Sequence, residues 1–93
     1  MNIGIMTLDI YMADTHSLKE KRRIVQSLKS RLRSKFNVSV CETGFHDLWQ
    51  KGQLTIAAVG MEKSLLAAVF NRIDEFVSSY DLRVIQTSVD YLK

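Results

Sequence analysis

Apolar residues recur along this chain with a period that switches between two and 3.6, and the order of the switches leaves few folds open. Residues 3–12, IGIMTLDIYM, place apolar side chains at Met6, Leu8, Ile10 and Met12, the alternation of a strand with one buried face. A short polar connection over residues 13–16 follows. Ser17 and Glu20 then stand three apart, the pattern that caps a helix N-terminus. Leu18, Val25, Leu28, Leu32 and Phe36 recur at helical steps, one face of an α-helix that Asn37 helps to end. Val38, Val40 and Glu42 next alternate with Ser39, Cys41 and Thr43, a second strand ended by Gly44. Residues 44–52, GFHDLWQKG, are bounded by glycines and read as a loop or hairpin end. Residues 54–59 form a third, buried strand. Residues 62–80 carry Leu65, Leu66, Val69, Phe70, Ile73, Phe76, Val77 and Tyr80 on one wide helical face, and residues 82–91 make a fourth strand.

The order is βαββαβ. Two βαβ halves around a central hairpin predict a two-layer α/β sandwich of ferredoxin-like type, with a four-stranded antiparallel sheet and both helices on one face. At 93 residues the chain is one domain, residues 1–93. The sheet face away from the helices must be solvated or covered. Ile3, Ile5 and Thr7 point opposite to Met6 and Leu8, so that face is not purely polar, and a homodimer through it is expected.

Composition removes several classes. Leu, Ile, Val and Phe make up about a third of the chain, well above the level of chains that fail to collapse. Cys41 is the single cysteine and cannot form an internal disulfide; with only His16 and His46 beside it, no closed zinc site can be built. No cofactor or metal is expected. No apolar run approaches the ~20 residues of a membrane span, and residues 1–12 lack a basic flank and carry Asp9, unlike a signal peptide. A cytoplasmic setting is expected. Cys41 with His46 would be a possible nucleophile and base, but an alternating strand makes Cys41 a small buried hydrophobe. Trp49, beside Phe45 and Leu48, reads as a cap on the open end of the core, with a partner anchor as the other reading.

Charge gives the one chemical signal. Lys19, Lys21, Arg22, Arg23, Lys29, Arg31, Arg33 and Lys35 all lie between residues 17 and 35, where Glu20 is the only acid. That segment carries a net +7 in a chain of net +3, leaving −4 on the remainder. At about 100° per residue with Lys19 at zero, the apolar face centres near 220°. Arg22, Lys29 and Arg33 fall near 280–320° and Lys19 and Arg23 near 0–40°. These five, with Gln26 and Ser30 among them, form one strip about 20 Å long that contains no carboxylate.

The arrangement opposes two local rules. Pairs 19/23 and 29/33 are like charges at i,i+4, and four cations crowd the positive end of the helix dipole. An outside anion would compensate, and helix N-termini and arginines both suit phosphate. Nucleic acid is the anion that a continuous basic strip fits best. No paired C-x-x-C, RNP-type aromatic strand or GxxG loop is present, so none of the common RNA modules is recognised.

SLKEKRR (residues 17–23), SLKSRLRSKFNVSVCE (residues 27–42) and DLWQ (residues 47–50) together resemble the YlxP-like family of small bacterial proteins, a domain of unknown function. The resemblance covers nearly the full length. It implies a ferredoxin-like α/β fold, a bacterial cytoplasmic setting and gene neighbours concerned with translation and ribosome assembly. It implies no catalytic residue, because the family has no established activity. Cys41 stands where many relatives have a small residue. Small ferredoxin-like enzymes that act on acyl phosphates are also similar in length, charge and strand order. They need a glycine-rich phosphate cradle between the first strand and helix, with an Arg and an Asn, and here that connection is ADTHS; Arg22 or Arg23 with Asn37 would imitate the Arg–Asn pair only weakly. The sequence therefore predicts a non-enzymatic RNA-binding protein, with rRNA or a ribosomal particle as partner. Lys19, Arg22, Arg23, Lys29 and Arg33 would touch phosphate, and no residue is assigned to catalysis or metal. The other class weighed is a protein-interaction module that docks its partner on the open sheet face.

Overall fold

The computed structural model describes residues 1–92, and all six expected elements are present. Strand β1 spans Asn2–Tyr11, helix α1 Leu18–Lys35, strand β2 Ser39–Gly44, strand β3 Lys51–Gly60, helix α2 Lys63–Ser78 and strand β4 Arg83–Leu92. The sheet order is β2-β3-β1-β4 and every neighbouring pair is antiparallel, which is the ferredoxin-like α+β arrangement. Each βαβ half leaves room for one strand of the other half between its two strands.

Alternation sorts side chains to two faces. Met6, Leu8, Ile10, Val40, Leu54, Ile56 and Ala58 face the helices and are buried, meeting Val25, Leu28 and Leu32 of α1 and Leu66, Phe70, Ile73 and Val77 of α2. Burying such aliphatic side chains contributes roughly 1.5–3 kcal/mol each, offset mainly by chain entropy. Gly4 lies under the Phe70 ring so closely that a Cβ there would sit 2.6 Å from Phe70 Cε2. Phe70 in turn packs at a tilt on Tyr91 of β4.

The register also grades the open face. Val59, Ile3 and Leu92 form one cross-strand row, and the next runs Ser39, Ala57, Ile5 and Asp90. Beyond them come Cys41, Thr55, Thr7 and Ser88, then Gln53, Asp9 and Gln86. The end row of that face is apolar, Asp90 closes the second row, and the far end is polar.

Four expectations need correction. Strand β3 starts at Lys51, three residues before the apolar run, because Tyr11, Ile10 and Asp9 of β1 supply backbone partners to Lys51, Gly52 and Gln53. Gln53 Nε2 also donates to Asp9 Oδ1 at 2.9 Å. Gly52 is thus a buried strand residue and not a loop boundary. Helix α2 ends at Ser78 with Ser79 as its cap, before Tyr80, and Leu65 on its first turn is exposed. Cys41 points to the open face of the edge strand and is exposed, so it is no core hydrophobe.

Candidate nucleic-acid interface

The start of α1 is built by its caps. Ser17 is extended and its hydroxyl accepts from the Glu20 N–H at 3.1 Å, while the Glu20 carboxylate accepts from the His16 N–H at 3.1 Å. The first bond satisfies one of the helix's otherwise orphaned amides, and the second secures the residue before the cap.

Lys21 is not a surface cation. It is 1% exposed, its Nζ lies 3.0 Å from Glu42 Oε2 of β2, and it donates to the Phe45 carbonyl at 2.6 Å. The helical wheel explains this, because Lys21 falls near 200°, inside the apolar arc. A lysine there must bring its charge into the interior and needs a counter-ion and acceptors. Its position on the apolar face is the signal the sequence carries for this.

Two further cations of α1 turn to aromatic rings of α2 and of the turn that follows it. Arg31 lies over the Tyr80 ring at 5.7 Å and Lys35 over the Phe76 ring at 4.8 Å. The remaining five are the expected strip. Lys19, Arg22, Arg23 and Arg33 are exposed and Lys29 is half-buried. Arg33 is partly engaged, since one Nη2 hydrogen goes to the Val40 carbonyl at 2.9 Å; four of its five N–H groups stay free. Lys21–Glu42 is the one salt bridge among the described residues, so no carboxylate neutralises the strip. The contacts of Arg33 with Val40 and of Lys21 with Glu42 and Phe45 lay α1 along β2. The Arg22–Lys29–Arg33 side therefore runs beside the free β2 edge, towards the β2–β3 loop.

That loop reverses the Trp49 expectation. Trp49 is 51% exposed, with Leu48 and Phe45 also exposed, so it does not cap the core. Phe45 carries the chain through the turn with φ 58°, the one non-glycine residue with positive φ among those described; Gly44 and Gly52 do not. An aromatic residue in the left-handed region is strained. Three tethers hold it and its neighbours: Lys21 on the Phe45 carbonyl, Thr15 Oγ1 on the Trp49 carbonyl at 2.8 Å, and Gln50 Nε2 on the Ala13 carbonyl at 3.1 Å. The buried Thr15 hydroxyl shares its one hydrogen between Trp49 and the Met12 carbonyl at 2.6 Å. A recess of about 350 Å³ opens here, lined by Tyr11, Asp47, Leu48, Trp49, Gln50 and Lys51.

The other side chains weighed for chemistry are spent on backbone contacts or stand away from the strip. Cys41 Sγ and His46 Nε2 both sit on the Glu42 carbonyl, at 3.5 and 3.2 Å. Among the described residues no three His, Cys, Asp or Glu side chains group in a way that could hold a metal ion. Asn37 lies at the opposite end of α1 from Arg22 and Arg23, on the rim of an open cleft of about 640 Å³ between Phe36, Leu66, Val69 and Phe76. It therefore forms no phosphate pair with those arginines. No described helix is long and apolar enough to cross a membrane.

Comparison with known proteins fits this description. The model of the family described as protein of unknown function (DUF503) matches residues 3–89, and the chain belongs to that family. The "Uncharacterized protein YlxP" of Bacillus subtilis (strain 168) is 35% identical over 78 residues, spanning 84% of this chain and 85% of that protein. Among solved structures, the de novo designed protein Foldit4 superposes with a TM-score of 0.55, covering 100% of this chain and 98% of its own, at 10% identity. That likeness is one of fold alone.

Proposed function

We propose that this member of the DUF503 family is a non-enzymatic protein that binds structured RNA, ribosomal or pre-ribosomal, through phosphate contacts from Lys19, Arg22, Arg23, Lys29 and Arg33. The observation that carries the reading is the contrast within α1. The one cation that enters the interior has its carboxylate, and the five on the outer strip have none. Unpaired cations held in a row by a rigid helix release counterions from a polyanion when they bind it. Contacts of this kind position a protein without reading sequence. Specificity would come from RNA shape.

The test is a fluorescence-anisotropy titration of the protein with a labelled rRNA fragment at several salt concentrations. Five cations on phosphates give a log–log salt slope of about −3 to −5. Replacing Arg22, Arg23 and Lys29 together by glutamate should abolish binding; Arg33 is spared because it also serves the β2 edge. No binding at low salt would overturn the reading.

The same reading includes a second copy of the chain on the open sheet face. The row Val59, Ile3 and Leu92, with Ala57 and Ile5 behind it and Asp90 at the β4 end of that second row, is the most apolar part of a face that is otherwise hydroxyl-rich and polar. Val59 and Leu92 are 63% and 50% exposed, which favours a cover there.

A further inference from the structure

We infer that the recess between Tyr11 and Trp49 receives one unpaired base of the bound RNA, which makes the preferred substrate a single strand or loop and not a continuous duplex. The inference rests on the RNA reading above and adds a second contact to it. Trp49 combines a free ring with a fixed backbone. Its carbonyl holds Thr15, and the adjacent Gln50 accepts from the Met12 N–H at 2.8 Å and donates its side chain to Ala13. On the other side Leu48 N–H and Lys21 Nζ both donate to the Phe45 carbonyl, at 3.1 and 2.6 Å. A ring held out into solvent on so many tethers loses little further entropy when something stacks on it.

The lining decides what stacks. Tyr11 and Trp49 offer flat aromatic surface, while Asp47 offers acceptors, Lys51 donors, and Gln50 the amide oxygen its bond to Ala13 leaves free. An apolar protein side chain would use only the rings and gain nothing from those polar groups. A nucleobase has a π-face for the rings and donors and acceptors on its edge. Charge places it too. Lys51 brings a cation to the recess itself, its ammonium lying over the Phe45 ring at 5.4 Å. Tyr11 and Lys51 face the open side of the sheet, so an RNA that touches both the slot and the α1 strip passes round the loop that Lys21 ties to α1. A regular duplex keeps its bases stacked inside and cannot fill it.

Trp49 is the single tryptophan, so its emission reports the slot directly. The full chain is titrated with a labelled unstructured RNA of about ten nucleotides and with a duplex of the same length, following RNA anisotropy and Trp49 emission together. Expected are quenching of Trp49 by the single strand and weaker quenching by the duplex. Trp49→Ala should lose roughly 5- to 100-fold in single-strand affinity with the salt slope unchanged, and Trp49→Phe should recover most of it. Salt-dependent RNA binding with unmoved Trp49 emission and a neutral Trp49→Ala would overturn the slot and leave the phosphate strip standing. Absence of any RNA binding at low salt would overturn both.

Discussion

Helix α1 is fastened to the sheet by ions and hydrogen bonds as well as by apolar packing, whereas α2 is fastened by packing and ring contacts. On the α1 side, Lys21 reaches Glu42 and Phe45, and Arg33 reaches Val40. On the α2 side, Phe70 lies on Gly4 and Tyr91, with Lys63 over the Tyr91 ring at 4.7 Å. Among the described residues α2 makes no side-chain hydrogen bond or salt bridge to a strand. The difference follows from composition. A helix carrying eight cations cannot keep its sheet-facing side wholly apolar and still place a lysine at position 21, so the interior has to answer that charge. The neutral α2 has no such debt to the strands and can press a phenyl ring onto a glycine.

The largest effect should come from the packing side. Phe70→Ala removes a ring that is 2% exposed and leaves a cavity over Gly4, at a cost of about 3–5 kcal/mol. Urea unfolding should show this as a lower midpoint at unchanged slope. A loss under 1 kcal/mol would mean that α2 is held by something other than this contact.

The polar side predicts an asymmetry between the two partners of one salt bridge. Glu42→Ala leaves Lys21 buried with only the Phe45 carbonyl, and removal of one partner of a buried pair costs about 3 kcal/mol. Lys21→Met should cost less, on the order of 1 kcal/mol. Glu42 is 19% exposed and can turn to water, and Phe45 keeps the Leu48 N–H. Equal losses from the two variants would break the account of Lys21 as the buried member.

These two sides were not equally legible in the sequence. Period and caps sufficed for the element order, because Ser17 with Glu20 and the alternation of Met6, Leu8 and Ile10 are local signals that tertiary contacts reinforce. Strand β3 began earlier than its apolar run because the pairing of Lys51 and Gln53 depends on β1, which lies about forty residues away. The strip of five was legible because helix geometry alone determines which residues share a face. Lys21 is legible on the same wheel, near 200° in the apolar arc, but not in a charge sum along the segment. The exposure of Trp49 had no sequence signal. It depends on Phe45 entering the left-handed region and on tethers from Lys21, Thr15 and Gln50, none of which a local pattern carries.

The same division continues across the open face of the sheet, and there the expected effect on stability is smallest. The β2 side presents Ser39, Cys41 and Thr43, and the carbonyls of Val40 and Glu42, on alternate residues of that edge strand, accept from Arg33 and His46. Side chains thus blunt that edge against a further strand. The Val59–Ile3–Leu92 row has no such cover. Val59→Lys exchanges an already exposed side chain, so unfolding free energy should stay within about 0.5 kcal/mol of the parent. The proposed homodimer would instead place two new ammonium groups against each other, and sedimentation equilibrium should report monomers. Gln86→Lys, at the polar end of the same face, should leave the dimer intact. If Val59→Lys sediments as the parent does while Gln86→Lys separates the copies, the contact lies at the polar end, and the apolar row needs another explanation.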